Sequence, residues 1–323
     1  MKIAFTVCSA NYLAYAKSLA DTVIQHNPGY SFVIALADTF TGLDTAFFAP
    51  HTIIPVTDMN IDALEEMNQR YTIFELSCAL KPFVAGYLFQ TFRDCELLFY
   101  FDSDILVYHT LHEAEEALQS DSILLTPHLS QALPSAESLP TERDLLRAGV
   151  FNAGFFGLKN DAVTGSFLHW WKERLQYHCY NNIGEGLFVD QLWLNLVPLY
   201  FQKTCVFFHP GYNLAYWNFS ERTLASSGNV YRVNGDYPLV FFHFSGYDPQ
   251  LPDAVTRHRT DLALSSLPQY ASLFKLFGKA VARNDEKGFS SLPVTMGLEA
   301  KLANQKTGNG LVATIGSWLG RKK

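Results

Sequence analysis

The sequence predicts an α/β protein whose central sheet begins parallel. Three observations lead there. The first forty residues read strand, helix, strand. An apolar five-residue run, Leu97–Phe101, is followed at once by Asp102, Ser103 and Asp104. A glycine-laced apolar stretch over residues 150–158 precedes a long amphipathic helix.

Residues 2–8 (KIAFTVC) read as a short buried strand. Residues 12–26 form a helix with Leu13, Ala16, Leu19, Ala20 and Val23 on one face, ended by Asn27-Pro28-Gly29. Residues 31–37 (SFVIALA) supply the second strand, followed by Asp38. So short a strand–helix–strand unit closes as a parallel crossover, whose strand ends suit nucleotide-sized ligands. Helices follow over 61–68 and 73–92; Pro82 should break or kink the second, because its ring and missing N–H disrupt the helical ladder. After the Leu97–Phe101 strand, 112–119 reads as a helix exposing Glu113, Glu115 and Glu116, and 122–126 as a strand. Residues 129–140, rich in Ser, Ala and Pro, predict a surface loop, and 141–147 a polar helix. Gly154 and Gly157, inside the strand pattern VFNAGFFGL, predict a bulge or a close backbone approach. A helix over 161–177 turns Trp170 and Trp171 towards the core, and another over 187–196 opens with Asp190 and Gln191. Residues 205–217, 230–233 and 239–246 read as strands and 264–282 as a helix; the last forty residues lose the pattern.

At 323 residues the chain accommodates one large or two ordinary domains. A hydrophobic fraction of 48% against 17% charged residues marks a packed globular chain rather than a disordered one. A net charge of -7 argues against a nucleic-acid partner held by electrostatics. Cys8, Cys78, Cys95, Cys179 and Cys205 are odd in number and form no C-x-x-C, so neither a disulfide framework nor a zinc site is expected. With no signal-peptide pattern and no apolar run of spanning length, a cytoplasmic location is expected.

Two carboxylates at the end of a buried strand lie where open α/β sheets bind ligands, outside the carboxyl ends of the strands. Hard divalent cations such as Mg²⁺ and Mn²⁺ take oxygen ligands, and two aspartates leave positions for water and diphosphate oxygens. A bare Asp-x-Asp also ends strands at ordinary turns. Its meaning depends on what accompanies it.

Taken in order, the opening strand–helix–strand unit, YFDSD at 100–104, FNAGFFGL at 151–158, FVDQLW at 188–193 and HFSG at 243–246 resemble the retaining glycosyltransferases of family 8 and their bacterial relatives. The resemblance spans residues 3–248 and implies a GT-A-like nucleotide-binding sheet of mixed strand direction with flanking helices. Residues 1–265 would form this domain and 266–323 a smaller C-terminal helix and tail. It implies a hexosyltransferase-like enzyme moving a sugar from a nucleotide-sugar donor, UDP-linked in the first instance, to a hydroxyl of a glycan, lipid-linked or protein acceptor, with retention, as in surface glycan synthesis. Asp102, Asp104 and His243 fall on the metal ligands, for Mn²⁺ or Mg²⁺; an imidazole beside carboxylates suits Mn²⁺ better. Cys8, Ser9, Ala10 and Asn11 fall on the nucleoside side, with Lys81, Ser103 and Gly246 also facing the nucleotide. Asn152, Ala153 and Gly154 fall on the sugar side. Asp190 and Gln191 fall next to the anomeric carbon, where a carboxylate can stabilise oxocarbenium character.

The chain departs from that pattern in three places. Ser9 and Ala10 stand where relatives often carry acids, Lys81 near where they carry an arginine, and Tyr247-Asp248-Pro249 where a lysine often follows the histidine motif. Arg257, His258 and Arg259 offer a basic cluster a few residues on, and Tyr212, Tyr216 and Trp217 an aromatic one. Two other readings stay open: an inverting enzyme with Asp190 as general base, and a nucleotide-sugar or glycan-binding protein without catalysis. A sugar nucleotidyltransferase would need a glycine-rich phosphate loop that the N-terminus lacks. The tail 310–323 ends in Arg321-Lys322-Lys323, a pattern consistent with peripheral contact to an anionic membrane face.

Overall fold

The computed structural model describes residues 1–39, 42–228, 230–300 and 302. Its centre is a seven-stranded sheet. Strands β1 (Lys2–Cys8), β2 (Tyr30–Leu36), β3 (Thr52–Pro55) and β4 (Leu97–Phe101) run parallel to one another, in the order β4-β1-β2-β3. A short strand, β5 (Ile105–Val107), leaves the sheet after β4. Next come β6 (Ile123–Pro127) and β7 (Phe151–Lys159); β7 lies between β4 and β6, antiparallel to both, and Thr204–Val206 closes the edge beside β6.

The reversal of β7 positions the site. A parallel neighbour would bring its carboxyl end to the carboxyl end of β4; an antiparallel one brings its beginning. Phe101 pairs with Phe155, so Asn152, Ala153 and Gly154 arrive beside Asp102. The expected irregularity in β7 is present as a register shift against β6, between Leu125 and Pro127.

Strands buried on both faces alternate their side chains between two apolar layers. Ala4, Phe32, Ile34, Phe99, Phe101 and Phe155 point to one layer, shared with α1 (Leu13–His26) and the C-terminal helix Ala271–Asn284. Ile3, Phe5, Val33, Leu98, Tyr100 and Phe156 point to the other. That layer is covered by α2 (Leu64–Arg70), α3 (Ile73–Thr91) and, after α4 (His112–Ser120) and α5 (Glu142–Ala148), by α6 (Ala162–His178). Trp171 of α6 is fully buried, and Trp170 half-buried.

Several elements differ from expectation. Helix α3 runs unbroken through Pro82. Its start is held by a capping box between Thr72 and Glu75, and its buried face lies against α6 and β1, so packing outweighs the single lost backbone bond. Glu113 and Glu115 are half-buried rather than exposed: Glu113 accepts from Tyr212 Oη and Glu115 from Tyr30 Oη. No α-helix begins at residue 187; Leu187–Phe188 pairs with Asn181–Asn182 in a hairpin, and a 3-10 turn over Leu192–Leu196 follows. Within 205–217 only Thr204–Val206 and a bridge from Leu214 to Phe242 keep strand pairing. Pro268 divides the expected helix over 264–282 into a 3-10 turn, Leu264–Ser266, and the helix Ala271–Asn284. Among the described residues no helix is long and apolar enough to cross a membrane, and the basic tail 310–323 lies outside them.

Phe155 touches the aromatic rings of Phe101 and Phe241 at centroid distances of 4.9 and 4.8 Å. Phe155→Ala is expected to lower stability by about 3–5 kcal/mol, read as a lower urea midpoint at unchanged slope.

Candidate active site

Asp102 is the first residue past β4, and its N–H donates to the Gly154 carbonyl at 2.8 Å, continuing the β4–β7 ladder by one bond. The chain turns at Ser103, which is half-buried, and enters β5 after Asp104. β5 does not rejoin the central sheet. It pairs antiparallel with Phe241–His243, register Ile105 to His243, and Phe244 N–H donates to the Asp104 carbonyl at 2.9 Å. The pairing carries an imidazole from about 140 positions downstream onto the aspartates. His243 Nε2 lies 3.1 Å from Asp104 Oδ1 and 3.9 Å from Asp102 Oδ2.

One ligand atom from each of the three residues falls within 4.8 Å of the others. Two donors on opposite sides of an ion at about 2.1 Å stand about 4.2 Å apart, so the set can close on one small divalent cation. The cradle also needs Gly154. A methyl group there would overlap His243 Cε1 and come within 2.8 Å of Asp102 Oδ2 and Asn152 Oδ1. The carboxylates keep an open side while the imidazole is 3% exposed, leaving room for further ligands.

Burial opposes charge on His243, but Asp104 and then Asp102 overcome it and hold the imidazole above its usual range. Burial likewise opposes ionisation of Asp104, which His243 reverses, so that carboxyl sits below its usual range. In the metal-free protein this pair contributes fully between the ordinary Asp and His values of 3.8 and 6.5. The contribution is lost as pH falls through the depressed carboxyl or rises through the elevated imidazole.

Lys81 does not lie on a solvated helix face. It is 3% exposed, and its ammonium stands 2.8 Å from Asp190 Oδ2, 3.3 Å from Asp102 Oδ1 and 3.1 Å from the Ala153 carbonyl that it bonds. It also caps the Tyr100 ring, 4.5 Å from the centroid, and Tyr100 Oη donates to Asp102 Oδ1 at 2.6 Å. Val189, with φ 39°, places the chain in the left-handed region just before Asp190 and turns that side chain inward. Asp190 is 1% exposed, and burial raises its pKa although Lys81 counters the effect.

Gln191 bonds the opening of β7. Its Oε1 accepts from Ala153 N–H at 3.1 Å and Asn152 Nδ2 at 3.2 Å, and its Nε2 donates to the Ala148 carbonyl at 2.9 Å. Asn152 also meets His128 Nε2 at 3.2 Å, and burial pushes His128 down to about 4.

On the expected nucleoside side, Cys8, Ser9 and Ala10 are buried at the end of β1. Ser9 Oγ donates to Asn11 Oδ1 at 2.6 Å, and Ala10 N–H to Asp38 Oδ2 at 3.2 Å. Asp38, buried past the end of β2, also accepts from Thr39 N–H at 3.0 Å and Thr295 N–H at 2.8 Å. Gly246 needs its left-handed φ of 71°, and a methyl group there would press on Thr256 Oγ1 and the His258 ring at 2.7 Å. Arg257 N–H donates back to the Gly246 carbonyl at 2.9 Å.

Sequence reasoning missed Asp38 as a site group, together with His128, Tyr100, Asn213 and Thr295. Asn213 stands in GYNLAYWN, a stretch notable in sequence only for its aromatic residues. Nothing in periodicity or spacing distinguishes it.

No protein-family model matches the chain. It is 29% identical over 237 residues to the uncharacterised protein YfnF of Bacillus subtilis (strain 168), covering 73% of this chain and 77% of YfnF. Among solved structures it resembles the galactosyltransferase LgtC in complex with donor and acceptor sugar analogues, at a TM-score of 0.51 and 16% identity over 87% of this chain and 96% of LgtC. An active-site mutant of LgtC gives a TM-score of 0.50 and 17% identity, with the same coverage. The fold is therefore GT-A, a mixed sheet flanked by helices.

Because a metal must displace the His243 proton, Mn²⁺ affinity is expected to fall as pH drops below the elevated imidazole value, with proton release on binding, measured by calorimetry in two buffers. Gly154→Ala is expected to weaken Mn²⁺ binding at least about 10-fold while leaving the circular dichroism spectrum unchanged.

Proposed function

We propose that this chain is a divalent-metal-dependent glycosyltransferase that moves a sugar from a nucleotide-sugar donor to a hydroxyl acceptor with retention of configuration. The observation carrying this reading is the meeting of Asp102, Asp104 and His243 with Asp190 and Gln191 at one edge of a GT-A sheet. A cation held by the three ligands, Mn²⁺ before Mg²⁺, would neutralise the leaving diphosphate as a Lewis acid. Asn152, Ala153 and Gly154 would line the donor sugar, and Cys8, Ser9, Ala10, Asn11, Ser103 and Gly246 the nucleotide.

In the reaction, the acceptor oxygen bonds to the anomeric carbon as the bond from that carbon to the diphosphate oxygen breaks, and the acceptor proton passes to the departing diphosphate. Asp190 would stabilise positive charge on the sugar ring. Its pairing with buried Lys81 favours this over a base role: a carboxylate held 2.8 Å from an ammonium is committed, which supports the retaining reading over the inverting one. Lys81, with three acceptors around one ammonium, serves to hold Asp190 and Asp102 apart and in place. UDP is the first donor to examine, although Ser9 and Ala10 leave base recognition to other groups. Glycan, lipid-linked and protein hydroxyls are the acceptor classes to screen, as for an enzyme of the cytoplasmic face building surface glycans.

Titrating Mn²⁺ while measuring nucleotide release from a panel of UDP- and GDP-sugars tests the proposal, and product NMR reads the anomeric configuration. Metal-dependent release is expected with at least one donor, abolished by a chelator and by Asp102→Ala. Asp190→Asn should lower kcat by about 10²–10³-fold with little change in KM. No turnover with any donor, or full turnover in Asp102→Ala, would refute the assignment.

A further inference from the structure

Deep in the site, amide and imidazole groups join the metal corner to the sugar side, and their hydrogen bonds agree in only one direction. The start is a backbone group of unambiguous polarity: Gly154 N–H donates to Asn152 Oδ1 at 3.2 Å. What Asn213 presents to that same oxygen, 3.2 Å away, is therefore its Nδ2. The other end of the Asn213 amide, Oδ1, then stands 3.3 Å from His243 Nδ1. An amide oxygen only accepts, so Nδ1 keeps its hydrogen in the charged ring and in the neutral one alike; Nε2, which donates to Asp104 while the ring is charged, is the nitrogen left to give up its proton and turn a lone pair to a metal.

From the same start the other direction is equally constrained. Asn152 Nδ2 donates to Gln191 Oε1, which also accepts from Ala153 N–H, a second backbone donor. It reaches His128 Nε2 as well, and His128 Nδ1 lies 3.2 Å from the Val150 carbonyl, so Nε2 is that ring's acceptor. Every amide in the chain agrees with its neighbours.

We propose that Asn213 is the positioning residue of the site: it sets the tautomer of His243 with one end of its amide and the orientation of Asn152, hence Gln191, with the other. The inference rests on the reading of Asp102, Asp104 and His243 as a metal site. Asn213 is 0% exposed and takes a left-handed φ of 57°, which Asn tolerates better than most residues. Asn218 Nδ2 donates to its carbonyl at 2.9 Å, and Trp217 meets the His243 ring edge-on at 5.2 Å, so ring and amide are both held. Metal-bound imidazoles are commonly fixed in this way through their second nitrogen.

Nitrogen NMR of the metal-free protein, with the ring neutral, reads the tautomer directly. His243 is expected to show a protonated Nδ1 and a bare Nε2. Asn213→Leu, which removes the acceptor at similar volume, should shift His243 to the Nε2–H form and weaken Mn²⁺ binding by about 10–100-fold in calorimetry. Asn213→Asp retains an acceptor for Nδ1 but has no N–H for Asn152, and should keep the Nδ1–H form. A wild-type ring protonated on Nε2, or a Leu variant with unchanged tautomer and unchanged Mn²⁺ affinity, overturns the proposal. The wild-type measurement requires no variant to fold. It also requires no metal, so a protein that binds no Mn²⁺ would refute the metal reading and leave the tautomer result standing.

Discussion

The pairing of β5 with Phe241–His243 is the constraint on which the rest of the site depends. Side chains in a strand alternate faces, so a slip of one residue would put a phenylalanine on the aspartates and drive the imidazole into the core. Aromatic packing on both sides prevents it. Phe241 lies against Phe101 and Phe155, Phe242 against Phe274, and Phe244 stacks on Phe277 at 4.1 Å. Backbone bonds lock the two ends: Phe244 N–H to the Asp104 carbonyl and Tyr108 N–H to the Val240 carbonyl at 2.7 Å. The hydrophobic partners of residues 241, 242 and 244 thus place residue 243.

The same site collects charge where water is scarce. A lone buried ammonium or carboxylate is strongly disfavoured, and truncating one partner of a buried pair costs about 3–5 kcal/mol. Lys81 is tolerated because Asp190, Asp102 and the Ala153 carbonyl surround it and the Tyr100 ring covers it. The helix that carries it is continuous despite Pro82, so the lysine's position along α3 is set by packing against the sheet and α6.

At the carboxyl ends of β1 and β2 a buried carboxylate, Asp38, organises the neighbouring backbone. Ser9 and Ala10 make a small buried turn past the end of β1, and Asp38 from the end of β2 reaches across to Ala10 N–H. Thr295 joins Asp38 from the C-terminal segment, and Phe289–Ser291 packs against the Ala10–Tyr12 turn. The C-terminal part is therefore built onto the carboxyl ends of β1 and β2, which no local pattern in the last forty residues suggested.

Local chemistry was legible wherever a signal repeats along the chain. Short apolar runs marked β1, β2, β4 and β7, and the order of YFDSD, FNAGFFG, DQ and HFSG pointed to one edge of one sheet. The same reasoning failed where the decisive contact is remote in sequence. Pro82 looked like a helix breaker until packing outweighed it, and residues 187–196 looked helical until a left-handed Val189 and a hairpin intervened. Asn213 and His128 carry no periodic signal, because a buried amide acquires its role only from the donors and acceptors around it. By itself the sequence determined the fold class, the two aspartates at a strand end and the candidate histidine. Only the tertiary structure decided which nitrogen of that histidine faces them, since the direction of a hydrogen-bond chain is set by groups brought together from residues 128, 152, 191, 213 and 243.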